Sequence, residues 1–269
     1  MSSTIDDALS ADEVIALLAL WQGVDPPLLV GGQALNILAR HYHAEGFETQ
    51  FSRDVDFVGD SEDARQAAQI WRAEIRLPTL DDHTPNTAVL TIRRANKPPL
   101  TIDFLENVAG IVFGAEVPSL KIREGSVDLR VMHPLACLQS RLWNIYGPLA
   151  RRNTREIERA GLAIRVLHAY LTEILDHDKG REALKTIERL VKYAALSRVG
   201  TKAWVRDRID VLASVPMVHP ALPPAFRSTR WPDIQRRVDS ARATAERIEA
   251  TQSRRAARPD APDIGAGHH

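Results

Sequence analysis

Residues 28–57, LLVGGQALNILARHYHAEGFETQFSRDVDF, constrain this chain more than any other stretch. A short apolar run, Leu28 to Val30, enters the pair Gly31-Gly32. Ala34, Leu35, Leu38 and Tyr42 then recur at helical spacing, and Asp54-Val55-Asp56-Phe57 alternates as a strand does. Side chains two apart on a strand share a face, so Asp54 and Asp56 project together while Val55 and Phe57 pack behind them. Adjacent carboxylates repel unless a cation lies between them, and paired carboxylate oxygens suit Mg²⁺. Without a Cβ, Gly31 and Gly32 let backbone approach a ligand closely. The helix that starts there turns its free N–H groups toward any anion in the turn. An anion site beside a cation site points to phosphoryl or nucleotidyl chemistry.

This order of parts resembles the signature of the DNA polymerase β-like nucleotidyltransferase superfamily: a hydrophobic residue, Gly-Gly or Gly-Ser, a spacer, then Asp-x-Asp between hydrophobics. Gly31-Gly32-Gln33-Ala34-Leu35 and Phe51-Ser52-Arg53-Asp54-Val55-Asp56 are most similar to its AbiEii-type branch, which includes toxins of toxin–antitoxin pairs. The long spacer fits that branch better than the small antibiotic-modifying members. The resemblance covers roughly the first half of the chain. It implies Mg²⁺ (two ions, with Mn²⁺ as a substitute) held by Asp54 and Asp56, an NTP substrate, and a nucleotide-binding role for Gly31, Gly32, Ser52 and Arg53. It also implies a third carboxylate from a later strand. Asp103 is the best-placed candidate, because it interrupts the apolar run Leu100 to Leu105 and lies opposite Ile102 and Phe104 in the pleat. Its bland alternative is an edge-strand aspartate facing water. A basic residue on the helix after the sheet is implicated near the phosphates in that branch. Arg141 holds the similar place, where the family more often shows Lys.

Charge divides the chain. Residues 1–134 carry 11 Lys/Arg against 20 Asp/Glu, a balance of −9, and residues 135–269 carry 24 against 15, a balance of +9. Such asymmetry marks either an acidic metal site joined to a basic partner-binding face or a solvated helical surface in an Arg-rich composition. Arg152, Arg155 and Arg159 lie three and four apart and are read as one helical face that grips an RNA acceptor, such as a tRNA end. The alternative is pairing with Glu156 and Glu158 or with the acidic half. The single cysteine, Cys137, excludes an internal disulfide. The polar, acidic start is no signal peptide, and no apolar run reaches a membrane span, so a cytoplasmic protein without membrane contact is expected. His41 and His43, two apart on a helix, face different directions and read as surface residues. His268 and His269 are left out of any metal argument.

Along the chain, Ser10 with Glu13 reads as a capping box for a helix striped by Val14, Leu17, Leu18 and Trp21. Asp60 or Ser61 starts a helix running to Trp71. Residues 87–94 alternate, Asn96-Lys97-Pro98-Pro99 reads as a turn, and residues 120–131 read as a hairpin about Glu124-Gly125-Ser126. His133-Pro134 begins a helical regime. Asn153 caps a long helix, and Pro232 opens a last one with the seam Ile234, Val238, Ala241, Ala245 and Ile248. The expected architecture is an α/β (α+β) nucleotidyltransferase domain with a mixed sheet and flanking helices (residues 1–132), an all-helical domain (133–258) and a disordered tail (259–269). The expected activity is metal-dependent transfer of a nucleotidyl group from an NTP to an acceptor hydroxyl, with pyrophosphate release. Asp103 would share the second metal and could act as base, and an antitoxin protein is a possible further partner. Two other readings stay open: a small-molecule nucleotidyltransferase, and a non-catalytic nucleotide-binding module.

Overall fold

A computed structural model describes residues 9–21, 25–44, 54–79, 81–82, 84–95, 97–111, 116–148, 150 and 152–256. Its centre is a seven-stranded mixed sheet. The strands are β1 (Leu28–Val30), β2 (Val55–Val58), β3 (Glu74–Arg76), β4 (Asn86–Arg94), β5 (Lys97–Leu105), β6 (Ser119–Glu124) and β7 (Val127–Met132), in the order β3-β4-β5-β2-β1-β7-β6. The pairs β2·β5 and β1·β7 are parallel and the others antiparallel. The helices α1 (Ala11–Leu18), α2 (Gly31–His41) and α3 (Ser61–Trp71) are interleaved with the first strands. After the sheet come α4 (Pro134–Tyr146), α5 (Thr154–Asp176), α6 (Gly180–Leu196), α7 (Arg198–Asp207) and α8 (Trp231–Ala256).

The period-2 pattern decides which face of the sheet is core. Val55 and Phe57 lie beside Ile102 and Phe104, and these beside Leu90 and Ala88, and all six are fully buried. Trp71 from α3 closes this face, its ring 5.5 Å from that of Phe57, and its indole N–H donates to the Leu17 carbonyl at 3.0 Å. Each such aromatic stabilises the fold by roughly 2–3 kcal/mol. The capping boxes at Ser10 and Asp60 are both formed, with Glu13 and Asp63 closing them. The buried core continues from Leu29 and Phe57 through Leu138 and Leu142 of α4 to Leu167 and Leu171 of α5.

One local expectation is corrected. Lys97, Pro98 and Pro99 belong to β5 rather than to a turn. Arg94 pairs with Lys97, and the two prolines fall where the β4 register shifts and where β2, which pairs from Ile102 onward, does not reach. Proline is tolerated there because no second ladder needs its missing N–H. The short edge strand β3 carried no sequence signal, since all three of its residues are exposed and no alternation marks it. The tail expected to be disordered, residues 259–269, lies outside the described residues.

Candidate active site

The sheet brings three of the sequence candidates to one place. Val30, the last residue of β1, pairs with Asp56, and Asp56 pairs with Asp103. The register continues from Asp103 to Val89 and from Val89 to Arg76. Residues directly opposite in a sheet share a face, so Asp56, Asp103 and Arg76 stand on the side away from Phe57 and Phe104. Asp103 is therefore on an internal strand and not on an edge. Asp54 lies one residue before β2, exposed, two residues from Asp56.

The glycine pair fits this arrangement sterically. Gly31 opens α2 with φ +68°, and a Cβ there would collide with the Asp56 carboxyl group, whose Cγ would lie 2.9 Å away. The carboxylate of Asp56 thus occupies the space a side chain at residue 31 would need. The residue before the helix, Val30, offers no side-chain cap, so the first N–H groups of α2 are not capped by its side chain. An anion is favoured at such an end.

Electrostatics follow from the crowding. Burial, and then the neighbouring Asp103 and Asp54, raise the Asp56 carboxyl group from its ordinary 3.8 to about 6, with Arg141 opposing them. Asp103 is also raised, by burial and by Asp54, and is held back by Arg76 and by a hydrogen bond from Asn86. That bond runs from Nδ2 of Asn86 to Oδ1 of Asp103 at 2.9 Å. Arg141 of α4 is buried. Its guanidinium lies 3.6 Å from Glu156 of α5, its Nε has no hydrogen-bond partner among the described residues, and Glu156 also holds Arg159 at 2.9 Å. Burial pulls the Arg141 pKa down, and Glu156 opposes that most.

Among the described residues, no three His, Cys, Asp or Glu side chains converge into a cage that could hold a metal unaided. The groups present are instead an adjacent carboxylate pair with a third close enough to raise both. That donor set fits a cation such as Mg²⁺, which keeps waters and completes its shell with substrate phosphates rather than protein ligands alone. A cavity of about 980 Å³ lies elsewhere, between the end of α1 and the β6–β7 hairpin, lined by Leu18, Trp21, Lys121 and Arg123, and contains none of these groups.

Other candidates are placed differently. Ser52 and Arg53 lie outside the described residues. Arg152 does not share a helical face with Arg155 and Arg159: it precedes Asn153, the N-cap of α5, and its guanidinium forks onto Asp207, which also accepts from Tyr146 Oη at 2.5 Å. Arg159 is turned inward onto Glu156, and Arg155 is exposed. His41 is not a solvated residue, because its Nδ1 lies 2.6 Å from Glu124. The sequence reading missed Asn86 and Arg76, and named Glu156 as a partner for the α5 arginines but not for Arg141. Each acts across strands or helices, and only the Asp103 register could have pointed to the first two.

No family model matches the chain, and no curated relative matches it. Two solved structures are similar in fold. One is an antigenic nucleotidyltransferase-like protein from Paracoccidioides brasiliensis, at 14% identity and a TM-score of 0.39, covering 66% of this chain and 95% of that one. The other is JHP933 from Helicobacter pylori, at 14% identity and a TM-score of 0.36, covering 94% of this chain and 98% of that one. These likenesses concern the fold alone.

Proposed function

We propose that this chain is a nucleotidyltransferase that moves an NMP group from an NTP to an acceptor hydroxyl. The observation that carries the reading is the fit of Asp56 into the space above Gly31, at the start of α2, with Asp103 in register beside it. Asp54, Asp56 and Asp103 would hold the divalent cations. When bound, these neutralise phosphate charge and lower the pKa of the acceptor hydroxyl. The chain's own part is positional. The backbone at Gly31 and Gly32 leaves room for phosphate oxygens at the amino end of α2. Asp103, half-buried and hydrogen-bonded at one oxygen, presents its other oxygen where a hydroxyl proton could be accepted. Arg141 offsets the negative charge gathered at Asp56 from the protein side.

For the acceptor we propose RNA, within an AbiEii-type role, held by α7 rather than by the start of α5. Supporting this is the +9 balance after residue 134 together with Arg198 and Lys202, which lie four apart on α7 and have no ion-pair partner among the described residues. Burial and then the like charges of Arg198 and Arg206 lower the Lys202 pKa, with Glu249 opposing them, and a phosphate would relieve that crowding. The test is incubation with each α-labelled NTP, Mg²⁺ and cell extract, followed by identification of the labelled species. Labelled RNA is expected. Its loss in an Arg198→Glu, Lys202→Glu variant, with NTP binding intact, would support the α7 surface. Label on a small molecule or protein would overturn the RNA proposal, and no transfer at all would overturn the enzymatic reading.

A further inference from the structure

The β4 strand carries a defect where it meets Asp103. Asn86 pairs with Leu105 and Ala88 with Phe104, so two steps along β4 match one step along β5, and Thr87 is the extra residue. Regular alternation would put Asn86 on the same face as Ala88, which is fully buried against the apolar layer. The bulge reverses this. Leu105 is two residues from Asp103 on β5 and shares its face, so Asn86, opposite Leu105, is turned to the carboxylate side. The result is the 2.9 Å hydrogen bond from the Asn86 amide to Oδ1 of Asp103. The bulge is anchored on both sides. The Thr87 hydroxyl donates to the Gly59 carbonyl at 2.7 Å, the Gly59 amide donates to the Leu105 carbonyl at 3.1 Å, and the Asn86 amide N–H donates to the Thr84 hydroxyl at 3.2 Å.

We propose that Asn86 is a positioning residue for Asp103, and that the Thr87 bulge exists in this fold to aim it. A carboxylate on a strand can rotate about χ2, and Asp103 is crowded by the Asp56 and Asp54 carboxyl groups. A neutral donor fixed to Oδ1 holds the group in one rotamer without adding a charge that would compete with a cation. Oδ2 is left for the cation or the acceptor proton. A lysine or arginine at residue 86 would give the same orientation but would discharge the site. This inference rests on the proposed nucleotidyltransferase reading and names a residue that neither the glycine–carboxylate signature nor the helical half supplies.

The experiment uses the full chain and Mn²⁺ binding measured by electron paramagnetic resonance, alongside label transfer from an α-labelled NTP. Asn86→Ala is expected to weaken Mn²⁺ binding and lower kcat by about 10–100-fold, the range for losing a partner of a metal-ligating side chain, with KM for the NTP little changed. Asn86→Gln keeps the carboxamide and should recover part of both. Should Asn86→Ala fail to fold, the similarly shaped Asn86→Leu takes its place. Mn²⁺ affinity and kcat within twofold of wild type in the donor-less variant would overturn the proposal, as would an equal loss in Asn86→Gln. Asp56→Asn serves as the reference. If it retains transfer, the reading of the site itself fails. If it is inactive while Asn86→Ala is normal, only the role of Asn86 fails.

Discussion

Replacing Asp56 by Asn should make this protein more stable while removing its activity, and the gain should depend on pH. In the folded chain the Asp56 carboxyl group titrates at about 6 instead of 3.8, first because it is buried and then because Asp103 and Asp54 lie near it, with Arg141 only partly compensating. The sign follows from linkage. Between these two values the folded protein holds a proton that the unfolded chain has lost, so the stability associated with the protonated group is complete below pH ~4 and disappears as pH rises through 6. At ~1.36 kcal/mol per pH unit, ionised Asp56 therefore costs the metal-free fold about 3 kcal/mol above pH 7. Asn has nearly the same shape and no charge to bury.

The assay is urea unfolding without divalent cations, followed by tryptophan fluorescence, because Trp71 packs on Phe57 directly behind Asp56. At pH 8 the Asp56→Asn unfolding free energy should exceed that of wild type by an amount on the order of 2–3 kcal/mol, and the two should converge near pH 4. Saturating Mg²⁺ should narrow or reverse the gap, since a cation that binds only the folded wild type stabilises it by about 2.7 kcal/mol at a hundredfold excess over Kd. A variant less stable than wild type at pH 8, or a difference that is the same at pH 5 and pH 8, would refute the burial and crowding on which the site rests.

Other expectations are open to direct measurement. Gly31→Ala places a Cβ on the Asp56 carboxyl group and forces φ +68° on a residue that resists it, so a loss of at least ~1–2 kcal/mol in urea unfolding and a large loss of Mn²⁺ binding are expected; an unaffected variant would disprove the close approach. His133 caps α4 through Nδ1, which accepts from the Leu135 amide at 3.1 Å, and its Nε2 meets the Tyr170 hydroxyl at 3.2 Å. Burial, and then Arg189, lower its pKa from 6.5 to about 4, so stability should fall by up to about 3 kcal/mol as pH drops from 6.5 to 4. His133→Asn keeps a capping oxygen and should flatten that slope; an unchanged slope would exclude His133 as its source. Phe104→Ala, at a fully buried ring 5.6 Å from Phe57, should cost about 3–5 kcal/mol in the same unfolding assay.

The parts of the fold legible in the sequence were those with local causes. The Gly31-Gly32 turn, the α2 stripe and the Asp54-Val55-Asp56-Phe57 alternation are each written within a few residues, and β1, α2 and β2 follow them. Asp103 was legible because a carboxylate in an apolar run conflicts with its surroundings, and its register beside Asp56 gives that conflict a cause. What was not legible depends on residues far apart in the chain. The Arg152, Arg155 and Arg159 pattern looked like a face because helical spacing was counted across the cap. Asn153 ends the helix on one side of Arg152, and Asp207, 55 residues away, claims its guanidinium. The Thr87 bulge leaves no compositional mark, because Thr87 reads as the first residue of an alternating strand.

Arg141 shows how the two halves of the chain become one device. A buried guanidinium with an unpartnered Nε is costly by itself, and replacing it with an apolar side chain would pack more cheaply. Its cost becomes intelligible from its neighbours. Glu156 on α5 lies on one side of it, and Asp56 on β2 feels its charge on the other. The helical half thus supplies a counter-charge beside the carboxylates crowded on the sheet. Glu156 in turn is the largest counter-charge acting on Arg141, ahead of Asp56. Burial nonetheless dominates and leaves Asp56 raised to about 6, still ionisable near neutrality. A positive charge at residue 141 therefore acts on Asp56 from within the core.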